Sequence, residues 1–466
     1  MSWTARRVLG AVRGELLVGS PETAFAAIST DTRSLPPGAL FVPLVGETYD
    51  GHEFLAAAAE AGAGGVLLEA GRAGELAVPG GLVVIAVEDT LAALGDLAAT
   101  ARREWGGTVI GLTGSNGKST SKEMCAAILA AAGKAVLKNE GNYNNLVGLP
   151  LTLLLLEPAH EIAVSEMGTN APGEIARLAE IARPDVGAVL NVGRAHLEGF
   201  GGLDAVASEK GALLGALADD GVAVANADDP RVMRHTHGIA AQVKTFGRCD
   251  GCDVRVHDPV AVSEAGTRFD LEIEGVRVEV RLPLIGMHQA MNAAAAAAMA
   301  TAAGADADAV VRGLSGLAPL GRRMRLDSIA GLRIIDDAYN ANPTSVRAAL
   351  EALAALRGGK RSFVVLGEML ELGRESATEH RDVGRAAVGS GVDCLIALER
   401  ATEVAAGARE AGLAAEACLE AETPEQAAEW ILEHSEPGDW LLVKGSRGAR
   451  TERVLAALAA LETEET

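Results

Sequence analysis

The residues best suited to chemistry lie in one run, Thr113-Gly114-Ser115-Asn116-Gly117-Lys118-Ser119-Thr120. Its glycines let backbone N–H groups turn toward an anion. An apolar run at 108–112 precedes it and a helical pattern reaching 133 follows, so the loop stands at a helix N-terminus, where the helix dipole favours negative charge. From there Lys118 can reach the β- and γ-phosphates of a nucleotide, and the Ser119 hydroxyl can hold Mg²⁺. Leu112 stands where the general GxxxxGK[ST] pattern has its first glycine. The strand–loop–helix setting therefore carries the nucleotide-binding reading.

Two further groups fall at strand ends on what should be the same sheet edge. Glu166 follows the apolar run 162–165, and His196 lies just past the run ending at Asn191. Ligands of parallel sheets bind outside the carboxyl ends of the strands. A carboxylate there suits a hard cation, but a solvated strand-end acid fits Glu166 equally well. His196 is likewise balanced between a metal or phosphate role and a structural one. His288 and Asn292 share a helical face at i, i+4, and on residue type alone they read as a polar helix edge. Lysine is scarce in this arginine-rich chain, and Lys118, Lys210 and Lys444 all adjoin glycine- or acid-rich loops. Arginine cannot replace an amine that must lose its proton to react. Cys249 and Cys252 form one CxxC with no second pair at zinc spacing, which favours two incidental thiols at a turn over a metal site.

Positioning these groups takes more than one domain. At 466 residues the chain is long enough for about three domains of ~150 residues. Hydrophobic residues make up 49%, enough for cores, but aromatics only 3%, so the cores must be aliphatic. A net charge of −22 argues against a broad nucleic-acid-binding surface. No run approaches the ~20 apolar residues of a membrane span, and the alanine-rich stretch 293–303 reads as a soluble helix. No secretory signal is legible at the N-terminus, and the expected location is the cytoplasm.

The first ~100 residues mix β-like runs at 39–44 and 82–87 with helices at 51–63 and 90–105, ending at a Gly106-Gly107 hinge. From 108, apolar runs at 108–112, 162–165, 186–191 and 222–226 alternate with helices, the pattern of a parallel sheet covered on both faces. A β-rich stretch at 268–284 interrupts it, with 276–280 alternating as a half-exposed antiparallel strand. A third unit begins near Gly321, with strands at 332–335, 363–366, 394–398 and 440–443 and a helix at 344–356. The expected architecture is α/β in three domains, a first at 1–105, a central phosphate-loop ATPase-like parallel sheet at 106–318, and a Rossmann-like domain at 319–466.

Taken together, the phosphate loop, Asn142-Tyr143-Asn144-Asn145, Glu166-Met167-Gly168, Ser208-Glu209-Lys210, Gly321-Arg322 and Asp336-Asp337-Ala338-Tyr339-Asn340-Ala341-Asn342-Pro343 resemble the Mur ligase family of ATP-dependent peptide-bond-forming enzymes. The asparagine-rich segment and the Asp-Asp-Ala-Tyr segment point to its D-alanyl-D-alanine-adding branch. Gln289 departs from the family's usual Asn after the histidine.

The resemblance implies a monomeric ligase of peptidoglycan precursor synthesis, acting on UDP-N-acetylmuramoyl-tripeptide and D-alanyl-D-alanine through an acyl phosphate, with ATP and Mg²⁺. It implies a first domain that holds the uridine-diphosphate end near Asp31, Thr32 and Arg33, with Asn142, Asn144 and Asn145 also on the substrate. Lys210 is implied as a carbamylated lysine that shares Mg²⁺ with Glu166, with His196 nearby. Asn292, Arg322, Asp337 and Asn340 are implied as ATP contacts. The competing readings are another Mur or folylpolyglutamate-type ligase, and a phosphate-loop protein that binds nucleotide without ligating.

Overall fold

The computed structural model describes residues 3–46, 48–194, 197–318 and 321–464. The chain opens with β1 (Trp3–Thr4), β2 (Glu15–Val18), β3 (Ala24–Phe25), β4 (Ile28–Ser29), β5 (Leu40–Phe41), β6 (Gly65–Glu69) and β7 (Val83–Val87). β1 and β3 pair with each other, and the rest form a sheet in the order β2-β7-β6-β5-β4. The expected run at 39–44 contributes only Leu40–Phe41, since Pro43 has no N–H with which to extend a ladder. The expected helix at 51–63 is a tight 3₁₀ turn, Gly51–Phe54, leading into a short helix, Leu55–Glu60. The helix Thr90–Trp105 follows the sequence expectation, with Asp89 capping its N-terminus and Gly106 ending it at φ +73°. At Gly107 a Cβ would lie 2.4 Å from the Trp105 ring, so the turn into the next domain requires glycine for space.

The central sheet comprises β8 (Thr108–Thr113), β9 (Val136–Lys138), β10 (Ile162–Glu166), β11 (Val186–Val189), β12 (Val222–Asn226), β13 (Gln242–Gly247), β14 (Val254–Ser263), β15 (Gly266–Ile273) and β16 (Val276–Leu282). Its order is β16-β15-β14-β13-β12-β11-β8-β10-β9. Pairings from β9 across to β14 are parallel, and β14, β15 and β16 then turn antiparallel. The β-rich stretch therefore extends the central sheet rather than interrupting it. β16 alternates as expected at its end, with Val280 and Leu282 buried and Glu279 and Arg281 exposed.

Two helices position the phosphate loop. Lys118–Ala131 buries Met124, Cys125, Ile128 and Leu129 against the sheet. His288–Ala302 packs alongside it with Ala293 through Ala300 all buried. No helix among the described residues is long and apolar enough to cross a membrane.

The third sheet contains β17 (Arg325–Ile329), β18 (Leu332–Asp337), β19 (Ser362–Leu366), β20 (Cys394–Leu398), β21 (Cys418–Ala421) and β22 (Trp440–Lys444). Their order is β17-β18-β22-β19-β20-β21, parallel except at the β17 edge. The last strand in sequence thus inserts beside β18 and brings Lys444 opposite Asp337 at the strands' carboxyl ends. The molecule is a three-domain α/β protein with a Rossmann-like third domain.

Candidate active site

A cavity of about 600 Å³ lies between the central and third domains. Its central wall is the phosphate loop. Ser115, Asn116, Gly117, Lys118, Ser119 and Thr120 line it, while Thr113 and Gly114 are buried beneath. The loop is braced by the end of β11. Asn191 Oδ1 accepts from Asn116 N at 2.9 Å, and Asn191 Nδ2 donates to Asn116 O at 3.0 Å. Ser115 Oγ donates to Gly193 O at 3.1 Å and accepts from Gly193 N at 2.8 Å. With its polar edge tied on both sides, the loop is a cradle formed before any anion arrives.

Gly117 takes φ +82° at the helix N-cap, and a Cβ there would stand 2.1 Å from Asn292 Oδ1. Both the backbone angle and the space require glycine. Asn292 is held in turn by Gln289 Oε1, which accepts from its Nδ2 at 2.9 Å. The glutamine that departs from the family habit therefore still orients Asn292.

Lys118 Nζ donates to Gly114 O at 2.8 Å. Burial lowers its pKa, while the Glu166 carboxylate opposes that shift. Glu166 is only 2% exposed at the end of β10. Its Oε1 accepts from Asn144 Nδ2 at 2.7 Å, and its buried Oε2 has no partner. An orphaned buried carboxylate oxygen is costly unless something completes it. Glu166 and the Ser119 hydroxyl line one cavity and supply oxygen donors, the ligand type Mg²⁺ takes. The donor set fits that ion.

Glu166 also belongs to a hub that sequence reasoning missed. Asn139, fully buried, accepts from Glu166 N at 2.9 Å and donates to Glu166 O at 3.1 Å and to Tyr143 O at 2.9 Å. The buried Lys122 ammonium donates to Asn139 O. A single Asn after a short strand gives no local sign of these long-range bonds.

Lys210, on the helix Leu203–Gly215, is 1% exposed but does not line the cavity. Among the described residues its amine has no hydrogen bond or ion pair. Burial, helped by the Lys118 charge, brings its pKa down to about 7. A large fraction of this amine is therefore neutral, and so nucleophilic, near pH 7. His196 lies outside the described residues.

The third domain builds the opposite wall from long side chains. Arg323 Nη2 donates to Ser119 Oγ at 3.2 Å, and its guanidinium stacks 4.2 Å from the Tyr339 ring centre. Lys444 Nζ pairs with Asp337 Oδ2 at 2.5 Å and donates to Asn340 O at 2.9 Å. Asn342 caps the helix Pro343–Leu356 with its Oδ1, while its Nδ2 donates to Asn116 Oδ1 at 2.7 Å, joining the two domains. His288, with a buried unpartnered Nδ1, is pushed down to about 4 by burial and stays neutral here.

Of the expected ATP contacts, Asn292, Asp337 and Asn340 line the cavity. Arg322 does not. Its side chain turns toward the buried Asp336, 3.9 Å away, and the neighbouring Arg323 enters instead. Sequence could not decide between adjacent arginines, because the chain before β17 has no periodicity to orient them. Phe246 and Asn226, from the ends of β13 and β12, also line the cavity and were not anticipated. Asn142, Asn144 and Asn145 also line the cavity, and Asn145 Oδ1 accepts from Gly148 N, at the start of the helix Gly148–Leu153, at 2.8 Å. Asp31, Thr32 and Arg33 are in the first domain and do not line the cavity. There the Arg33 guanidinium beside Asp31 holds that carboxyl down at about 2.

Family models match in three blocks. Residues 24–102 match the Mur ligase family, catalytic domain, 112–300 the Mur ligase middle domain, and 321–447 the Mur ligase, glutamate ligase domain. The chain is 36% identical, over 98% of both sequences, to the UDP-N-acetylmuramoyl-tripeptide–D-alanyl-D-alanine ligase of Bacillus subtilis. It is similar to the crystal structure of MurF from Acinetobacter baumannii, with a TM-score of 0.90 at 32% identity over 99% of each chain. It is also similar to the MurF ligase of Thermotoga maritima in complex with ADP, with a TM-score of 0.84 at 29% identity over 94% of this chain and 98% of that one. Likeness of this extent runs from the first domain to the third, and the chain belongs to the Mur ligase family.

Proposed function

We propose that this chain is an ATP-dependent ligase that joins D-alanyl-D-alanine to UDP-N-acetylmuramoyl-tripeptide, releasing ADP and phosphate, in peptidoglycan precursor synthesis. The observation that carries this reading is one cavity that gathers a braced phosphate loop, the orphaned Glu166 carboxylate oxygen and charged side chains from the third domain. The chain's full-length likeness to ligases of that name specifies the substrates.

A peptide carboxylate resists attack by an amine. Phosphoryl transfer from ATP converts it to an acyl phosphate, which the dipeptide amine can capture with loss of phosphate. The N–H groups of residues 117–120 at the helix N-terminus cradle the phosphates, and Lys118 releases Gly114 O to neutralise charge on the transferred group. Mg²⁺, held by Glu166 and Ser119, supplies further neutralisation when bound. Lys210 completes that set as its carbamate, formed when the neutral amine adds CO₂ and gives up a proton.

On the opposite wall, Asn292, Asp337 and Asn340 hold the nucleotide, with Arg323 taking the part first expected of Arg322. Asp31, Thr32 and Arg33 serve the uridine-diphosphate end, and Asn142, Asn144 and Asn145 the arm between. Acyl phosphates hydrolyse, so the domains, divided at 105/106 and 318/319, must shut out water during transfer.

The test is ADP release with UDP-N-acetylmuramoyl-tripeptide and, in parallel, D-alanyl-D-alanine, D-alanine, L-lysine or glutamate. The reading requires the dipeptide to stimulate release well above the other amines. Equal or greater release with glutamate would point to a folylpolyglutamate-type ligase, and no release with any acceptor to a nucleotide-binding protein without ligase activity.

A further inference from the structure

Away from the cavity, the turn between β13 and β14 carries the two thiols that no part of ligation uses. Cys249 is exposed, Cys252 is half-buried, and their Sγ atoms lie 2.8 Å apart. The three other cysteines, Cys125, Cys394 and Cys418, are buried and distant in sequence.

The tetrapeptide Cys249-Asp250-Gly251-Cys252 is fastened at both ends. Asp228 accepts from Arg248 N at 2.7 Å and from Cys249 N at 3.0 Å, and Gly247 leaves room for that carboxylate. On the exit side, Asp253 N donates to Thr245 Oγ1 at 3.1 Å, while Asp253 Oδ2 accepts from Thr245 N at 2.7 Å. Arg255 pairs with Asp250 at 2.6 Å and donates to Arg248 O at 3.2 Å. Gly251, at φ +85°, makes the reversal. The ordering of the two sulfurs is thus supplied by the fold, and such preorganisation favours an intramolecular reaction over an intermolecular one.

We infer that Cys249 and Cys252 form a reversible dithiol–disulfide pair that exchanges with low-molecular-weight disulfides and leaves nucleotide binding intact. The exposed Cys249 thiolate attacks one sulfur of the small disulfide RSSR, forming a mixed disulfide and releasing one thiolate. Cys252 then attacks the Cys249 sulfur, expelling the second thiolate. Two protein thiols are oxidised, RSSR is reduced, and the two thiol protons end on two RSH. Burial pushes the Cys252 thiol up, so its attack accelerates as pH rises.

Closure needs sulfur movement of less than about 1 Å. The turn does approach the cavity. Asp228 N donates to Asn226 Oδ1 at 3.0 Å, Ala227 N donates to Phe246 O at 2.8 Å, and Asn226 and Phe246 both line the cavity. Because the turn already holds the closed arrangement, that path transmits little.

The full chain is incubated with oxidised glutathione, quenched with N-ethylmaleimide in denaturant and weighed intact, with ADP affinity measured in parallel. The expected product carries two fewer alkylated thiols, has no retained glutathione, reverts with dithiothreitol and binds ADP within about twofold of the reduced chain. Cys252→Ser should retain one glutathione at Cys249, and Cys249→Ser should form no internal disulfide. A wild-type chain that keeps stable glutathione, or leaves both thiols alkylatable, would overturn the pair. A tenfold loss of ADP affinity on oxidation would overturn the pre-closed turn.

Discussion

The two walls of the cavity are built on different plans. The central wall presents the backbone N–H groups of residues 117–120 at a helix N-terminus, on a loop held by bonds of Asn191 to Asn116 and of Ser115 to Gly193. The wall from the third domain presents Arg323, Asp337 and Lys444, side chains already engaged with Ser119 or with each other. The backbone of one side is set before substrate arrives, with Lys118 alone changing partner, whereas the other side must exchange several. A ligase that protects an acyl phosphate benefits from this division, because the rigid side defines the reaction centre while the adjustable side reports that it is filled.

Substitutions can break that contrast. Lys118→Ala removes the lysine of the central wall. Ligation should fall by about a thousandfold, measured as ADP release, while the fold, monitored by circular dichroism, stays intact. Turnover within tenfold of the parent would show that the cradle works without its lysine. Lys210→Ala should cost about a hundredfold, on the scale of lost metal-site support, and a small carboxylate such as acetate or formate should restore part of it. Undiminished activity without rescue would remove the carbamate from the reaction.

Arg323→Ala probes the adjustable wall. A drop of about tenfold in kcat/KM is expected, the loss of one charge-assisted contact, whereas Arg322→Ala should change it by less than threefold. The reverse ranking would restore Arg322 to the nucleotide. The smallest effect concerns pH. Lys210, brought to about 7, loses its proton as pH rises through that value, and only the neutral amine takes up CO₂. Raising pH from 6 to 8 should increase carbamate occupancy several-fold at fixed dissolved CO₂, read by ¹³C NMR. Occupancy that falls over this range would contradict the sign of the shift.

How far this arrangement was legible in the sequence differed between the walls in the same way. The rigid wall is contiguous, a buried strand, a glycine loop and a helix within 24 residues of chain from Thr108 to Ala131, so its chemistry could be read directly. The parallel strands of the third domain also stood out as apolar runs, and 394–398 coincides with β20. The adjustable wall draws on residues more than a hundred positions apart, such as Asp337 and Lys444, joined by strand insertion. Arg323 was overlooked because an arginine doublet outside a regular element has no facing pattern. Asn139 escaped notice because its bonds run to residues up to 27 positions away. The joining of β14–β16 to the central sheet was illegible for a related reason, since alternation marks a strand but not its neighbour.

Asn139 has one more implication. It grips the main chain at Tyr143 and both main-chain polar groups of Glu166, while Asn144 holds the Glu166 carboxylate itself. The asparagine-rich arm and the acid are consequently fastened to one buried side chain. Replacing Asn139 would therefore disturb the asparagine-rich arm and the carboxylate together, although it lines no part of the cavity.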